Sequence, residues 1–370
     1  MSPNNHGAHP PPASRAKHAP AHIPGQDAAV AQWLKDSVLG VARGIGWRGP
    51  FRPTEYVWSR GLALSCEHYG GLHFVRDQRG GRRLLPLDPR QYAQVRDGDL
   101  VWTRATALPE FLAHVLPHIE ARFALLTGDE DWSIPGDFSA AAELCASDKL
   151  LCWFAQNFDG TDRSGKIFPL PIGLDFHTLS RRRRWGHPQA TPAEQEAELV
   201  ELRAAMPPNE ARRLRVHTDF HFNRHLRPVG WERRDSIEAI LRRNPLIDFP
   251  RERLPRLELW REKTRYAFVV SPHGNGLDCH RTWESLALGN IVIVKRSPLD
   301  PLYQGLPVVS VHDWSEITAA ALDVWQRRYA RAFADPEMQR RLTNRYWIER
   351  VRGVLRARLQ TASPAGELSA

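Results

Sequence analysis

The stretch whose reading decides the fold is residues 271–295, SPHGNGLDCHRTWESLALGNIVIVK. The apolar run YAFVV precedes it and a second apolar run, NIVIVK, closes it, with a glycine-bearing loop and a helical pattern between. Strand, loop, helix and strand in that order make a βαβ unit, which requires a parallel sheet. In open parallel sheets ligands lie beyond the carboxyl ends of the strands, so residues 271–276 stand where a ligand would bind. Gly274 and Gly276 permit close backbone approach to an anion, and a helix starting near Asp278 adds the positive end of its dipole. Arg281 and Glu284, three residues apart, occupy neighbouring positions on one face, while Trp283, Leu286 and Ala287 supply the buried face. A carboxylate in that place can accept both hydroxyls of a ribose, and Arg281 can pair with a phosphate oxygen. The same residues also fit a common turn and a glutamate that only stabilises a helix start.

The alternation extends in both directions. Upstream, residues 100–103 read as a strand, a helix follows Pro109, and residues 122–127 read as a strand ending in the acidic loop Gly128-Asp129-Glu130-Asp131. LLCWFAQNFDG and KIFPLPIGLDFHTL add two more strands with polar exits. After a helix expected over about 192–205, bracketed by prolines, a second series begins: RRLRVHTDF, WERRDSIEAILRRNP, YAFVV, the opening stretch and PVVSVHDW. Two such series in 370 residues predict two α/β domains. The expected division is 1–27 as a disordered leader, 28–205 as an N-terminal Rossmann-like domain, 206–335 as a C-terminal Rossmann-like domain, and 336–370 as a terminal helix and tail. Residues 28–41 have helical spacing, 56–85 read as strand-like, and Gln78-Arg79-Gly80-Gly81 looks like a hairpin turn.

Composition narrows the class. With 42% hydrophobic and 25% charged residues the chain is globular in character, and no apolar run approaches the roughly 20 residues that cross a bilayer. The balance of 51 Lys and Arg against 42 Asp and Glu leaves +9, much of it in RRRRW at 181–185 and in the Arg-rich segment 340–358. Such charge draws phosphates and anionic surfaces but also fits solvated faces, and without a DNA-binding motif no nucleic-acid partner is expected. Four scattered cysteines without a CxxC pair suggest neither a zinc site nor a disulfide framework. The Pro-, Ala- and His-rich start lacks the apolar core of a secretory signal. His6, His9, His18 and His22 lie there at irregular spacing.

GNGLDCHRTWESLALGNIVIVKRSPLDPLY followed by LPVVSVHDWSEI resembles the donor-binding region of exostosin-like glycosyltransferases. The likeness is dense over about 266–317 and looser over WFAQNFDG and KIFPLPIGLDFHTL. It implies an α/β chain of GT-B type: two Rossmann-like domains with parallel sheets facing a cleft, 28–205 on the acceptor side and 206–335 binding the nucleotide sugar. It implies transfer of a sugar, with inversion and without an essential metal, from a nucleotide-diphosphate donor such as a UDP-sugar to a glycan or polysaccharide. No cofactor beyond that donor is expected. Glu284 falls on the family's ribose-holding glutamate. Arg281, His273, Gly274, Asn275, Gly276 and Lys295 fall where phosphate or sugar is contacted, and Asn223-Arg224 resembles a further donor contact. Inversion needs a base on the acceptor side, where the acids at strand exits are Asp129, Glu130, Asp131, Asp159 and Asp175, with His177 nearby; Asp131 and Asp175 rank first. Family members of eukaryotes carry a membrane anchor, and this chain shows none, so a bacterial enzyme in the cytoplasm, with peripheral contact at an anionic inner membrane face, is expected.

Three other readings stay open. Asp129-Glu130-Asp131 is also a DxD-type triplet, which in metal-dependent GT-A transferases holds a divalent ion. His217, His221 and His225 recur every fourth residue, although over an expected strand exit rather than a helix. A non-catalytic module that binds glycan or nucleotide would keep the same loop and glutamate.

Overall fold

The computed structural model describes residues 54–71, 74, 86–219 and 234–362. The expected leader, the helix over 28–41, the turn at 78–81, Asn223, Arg224, His221 and His225 lie outside the described residues.

Among the described residues, nine strands form two wholly parallel sheets. The first runs in chain order: β1 (Leu100–Arg104), β2 (Phe123–Gly128), β3 (Leu150–Ala155) and β4 (Ile167–Pro169). The second has the order β6-β5-β7-β8-β9, built from β5 (Arg213–His217), β6 (Ile247–Asp248), β7 (Tyr266–Val270), β8 (Ile291–Lys295) and β9 (Val308–Val311). Every residue of β1, β2, β3 and β7 is buried, which is why these strands read as continuous apolar runs instead of alternating ones.

The helices among the described residues are α1 (Ser59–Ala63), α2 (Leu108–His114), α3 (Ala141–Ala146), α4 (His177–Arg181), α5 (Pro192–Ala205), α6 (Arg234–Arg242), α7 (Arg256–Lys263), α8 (His280–Ala287), α9 (Ala319–Tyr329), α10 (Pro336–Arg341) and α11 (Asn344–Ala362). α5 starts on a capping box: Glu194 N–H donates to Thr191 Oγ1 at 3.2 Å, and Thr191 N–H donates to Glu194 Oε2 at 2.7 Å. α1 corrects the strand-like reading of 56–85. The chain there turns into a short helix, Ser59–Ala63, held by tertiary packing that buries Ser59, Arg60, Leu62 and Ala63. The final helix returns to the first sheet: α11 packs on β2, β3 and α1, burying Trp347, Val351 and Leu355. Asn344, the first residue of that helix, donates its N–H to Glu55 O at 2.9 Å and its Nδ2 to Tyr56 O at 2.9 Å, tying the helix to the start of the described chain. No helix among the described residues is long and apolar enough to cross a membrane.

The chain is therefore α/β with two Rossmann-like parallel sheets, and their carboxyl edges meet. In the second sheet β5 lies beside β7 with β6 outside it, so the chain leaves β5 in one direction and β7 in the other. The crevice between those two exits is the topological switch point, where open parallel sheets take their ligands.

Candidate donor site at the sheet edges

At the switch point β5 ends in His217 and continues to Asp219, while β7 ends in the loop opened by Ser271. Asp219 sits between two cations: Lys263 Nζ is 2.6 Å from its Oδ2 and Arg281 Nε is 2.7 Å from its Oδ1. The Lys263 side chain is fully buried. Burial works against the Asp219 charge, but Lys263 and Arg281 outweigh it and hold the carboxyl well below the usual range. Arg281 also donates to Pro272 O at 3.2 Å, so the same guanidinium braces the glycine loop. Next to this triad His217 packs its ring 5.1 Å from Tyr266, and burial pushes its imidazole down to about 4. His217 is a neutral core residue.

The glycine loop meets the first sheet through Asn157, the residue two positions beyond β3. Asp278 N–H donates to Asn157 Oδ1 at 3.0 Å, and Asn157 Nδ2 donates to Glu130 O at 3.0 Å. Asn157 is fully buried and left-handed at φ 55°. A Cβ on Gly276 would stand 2.6 Å from Asn157 Oδ1, so this glycine serves close approach of the two sheet edges. Within the loop, Gly274 N–H donates to Gly276 O at 3.0 Å, His273 Nδ1 contacts Leu277 O at 2.9 Å, and Asn275 is exposed. Two further contacts close the seam. Ile172 N–H donates to Asp278 Oδ2 at 2.8 Å, and His280 Nδ1 lies 2.7 Å from Gly173 O.

Glu284 lies on α8 one turn after His280, with its carboxylate 14% exposed. Arg256 Nη2 donates to Glu284 Oε1 at 3.0 Å, and Trp260 Nε1 approaches Oε2 at 3.5 Å. Arg256 is itself fixed by Gln195 Oε1 (3.1 Å) and Asp175 O (3.0 Å), and its guanidinium lies 4.5 Å from the Trp260 ring centroid. The carboxylate is thus held in one orientation while keeping lone pairs for a ligand. Lys295, at the exit of β8, places its ammonium 5.9 Å from the Trp314 ring centroid.

On the first sheet's edge the acids divide by partner. Asp129, left-handed at φ 63°, pairs with Arg60 at 3.2 Å and lies 3.8 Å from Arg104; its side chain is 2% exposed. A carboxylate so enclosed by guanidiniums is poorly placed to receive a divalent ion, which removes the main support for the DxD reading. Glu130 accepts from Thr106 Oγ1 at 3.1 Å, and burial, followed by the charge of Asp129, pushes its carboxyl up to about 7. Asp131 is half-buried beside it. Asp159 closes its own loop, accepting from Gly136 N–H at 2.7 Å and Thr161 N–H at 3.0 Å. Asp175 accepts from Thr178 N–H at 3.0 Å and lies 2.9 Å from His177 Nδ1. Burial opposes its charge, but His177, His280 and Arg256 outweigh it and hold the carboxyl well below the usual range.

Of the residues singled out in the sequence, the structure gathers Glu284, Arg281, His273, Gly274, Asn275, Gly276 and Lys295 at the carboxyl edge of the second sheet. It places Asp131 and Asp175 on the facing edge. Asn157, Arg256, Lys263 and Asp219 were not singled out as site residues. Their partners lie far along the chain, 121 positions for Asn157 and Asp278 and 28 for Arg256 and Glu284. The polar exit Gln156-Asn157 after an apolar strand was the one visible signal.

No family model matches this sequence, and no curated protein matches it. Among solved structures, the chain is similar to an α,α-trehalose-6-phosphate synthase from Burkholderia multivorans at 13% identity and a TM-score of 0.39, covering 74% of this chain and 77% of that one. It is also similar to a trehalose-6-phosphate structure from E. coli bound with UDP-2-fluoro glucose, at 12% identity and a TM-score of 0.36, covering 95% and 97%. A UDP-forming α,α-trehalose-phosphate synthase from Burkholderia vietnamiensis gives 14% identity and a TM-score of 0.33 over 74% and 73%. Likeness this distant carries no weight for activity.

Proposed function

We propose that the chain is a glycosyltransferase that moves a sugar from a nucleotide-diphosphate sugar, a UDP-sugar first among them, to a carbohydrate acceptor. The observation that carries this reading is Glu284. A partly exposed carboxylate, fixed by Arg256 one turn into α8 and following a loop at the switch point, suits the two hydroxyls of a ribose. The diphosphate then falls to the loop of His273, Gly274, Asn275 and Gly276, to the positive end of α8, and to Arg281 and Lys295, with Arg224 as a further contact expected from the sequence. These groups do for the leaving diphosphate what a divalent ion does in metal-dependent transferases.

The acceptor enters from the first sheet's edge. Its hydroxyl oxygen bonds to the anomeric carbon, the bond from that carbon to the diphosphate oxygen breaks, and the hydroxyl proton passes to a carboxylate on that edge. Asp131 and Asp175 are the sequence candidates for that base. Asp175 is engaged by His177 and Thr178, which leaves Asp131 and its neighbour Glu130, whose carboxyl burial and Asp129 push up to about 7, as the candidates for the base. Peripheral contact with an anionic membrane, and a cytoplasmic place for the enzyme, belong to the same proposal and rest on the excess of arginine.

The test is turnover. The full chain is incubated with a panel of UDP- and other nucleotide-diphosphate sugars, and release of free nucleotide is measured with and without oligosaccharide acceptors. Release with one donor, lost in Glu284→Gln, is the expected result. UDP binding without turnover of any donor would make the chain a binding module, and failure to bind UDP would remove the donor site.

A further inference from the structure

Asp175, His177 and His280 come together on the seam between the two sheet edges, each offering one ligand atom, all within 4.8 Å of one another. They arrive from two sides. Asp175 and His177 stand in the segment between β4 and the first turn of α4, whereas His280 opens α8 on the second sheet. We infer that these three side chains form a binding site for a divalent transition metal of the zinc class, which fastens α8 to the first sheet's edge.

Three features of the geometry carry the inference. His177 Nδ1 is buried and lies 2.9 Å from Asp175 Oδ1 without the alignment of a regular hydrogen bond. Two atoms that are close but not aligned as donor and acceptor are arranged as ligands of one ion are. Secondly, His280 directs Nδ1 at Gly173 O, 2.7 Å away, and with the proton on that nitrogen the Nε2 lone pair is available to a metal. Gly173 is left-handed at φ 69° and packs against Val57 and Trp58, so the carbonyl that orients His280 is rigidly placed. Thirdly, the donors match the ion. Two imidazoles and one carboxylate suit zinc with a fourth position open, and bonds of about 2.0–2.1 Å in a tetrahedron put ligand atoms about 3.3 Å apart. The three ligand atoms, all within 4.8 Å of one another, need to close by at most about 1.5 Å to reach that spacing. The ion proposed here is a clamp on the seam and is separate from any ion beneath the donor diphosphate.

The inference does not depend on the proposed activity, and its test contains no nucleotide. The full chain is stripped with a chelator, dialysed against zinc sulfate, and its metal content measured by mass spectrometry, with thermal melting recorded before and after loading. Cobalt loading adds a visible band of tetrahedral character as a second signal. His6, His9, His18 and His22 could bind zinc adventitiously, so a variant with all four changed to alanine is measured in parallel. The expected result is one ion per chain, kept in the four-histidine variant and lost in His280→Ala and in His177→Gln, with a melting midpoint raised by zinc in the parent and in the four-histidine variant but not in the two seam variants. Circular dichroism confirms that each variant is folded, and Asp175→Asn stands in if one is not. Zinc lost with the four leading histidines, zinc kept in both seam variants, or no zinc bound would each overturn the proposal.

Discussion

Replacing Gly276 by alanine tests how the two sheet edges are joined. The added methyl would lie 2.6, 2.7 and 2.8 Å from Asn157 Oδ1, Nδ2 and Cγ, all on one side chain. Asn157 is fully buried and its amide is committed at both ends, accepting from Asp278 N–H and donating to Glu130 O. To give way it must release Asp278 N–H inside the seam, which costs about 1–3 kcal/mol, and the overpacking itself costs about 1–3 kcal/mol. Gly276→Ala should therefore lose about 2–5 kcal/mol, read as a fall in urea midpoint followed by tryptophan fluorescence. Asn157→Gly keeps the left-handed backbone at φ 55° while removing the obstructing amide, and should cost about 1–3 kcal/mol alone. In the double variant the clash has no partner. Its loss should be smaller than the sum of the single losses by at least about 1 kcal/mol. Additivity within about 0.5 kcal/mol, or a Gly276→Ala protein as stable as the parent, would refute the contact as described.

The remaining predictions concern charge. Glu130 has a carboxyl raised to about 7 in the fold against 4.5 as its reference, so the folded state binds the extra proton and stability falls as pH rises between those values. Glu130→Gln should flatten that slope in pH-resolved urea melts; with Glu130 as the base it should also lower kcat/KM about 10²–10⁴-fold and remove the acid limb expected of the parent up to about pH 7. Asp219→Asn leaves Lys263 buried without its counter-charge and should destabilise the chain by about 3–5 kcal/mol, measured by urea denaturation. Because the folded carboxyl of Asp219 is depressed, its contribution is present above the ordinary carboxylate range and is lost as pH falls below it; a parent protein whose stability does not decline there would count against the triad.

What could be read from the sequence was whatever is encoded locally. Apolar runs such as LVWTR, FALLTG and YAFVV announce strands because both faces of each are buried, and their alternation with helical segments announces parallel sheets. The helix α5 was legible from the prolines that bracket it, and the fold adds the capping box of Thr191 and Glu194 at its start. The site was legible as a place and less so as a set of interactions. Gly276 reads as a residue that lets backbone approach an anion, but the surface it admits is the amide of Asn157. Arg281 reads as a phosphate ligand, and in the fold it also answers Asp219. Arg256 had no visible role because nothing in LPRLELW points to a glutamate one strand and one loop away. The helix at Ser59–Ala63 was hidden for a related reason: its five residues are too few for a periodic signal and are held by tertiary packing.

The central claim is that Glu284 holds the ribose of a nucleotide diphosphate. Isothermal titration of UDP into the parent protein and into Glu284→Gln tests it most directly, with thermal melting to confirm that Arg256 tolerates the neutral partner. A hydrogen bond to a charged group contributes about 1.5–3 kcal/mol, so the variant should bind UDP about tenfold to a hundredfold more weakly than the parent. A parent that does not bind UDP, or a folded variant that binds it as tightly as the parent, would contradict the account.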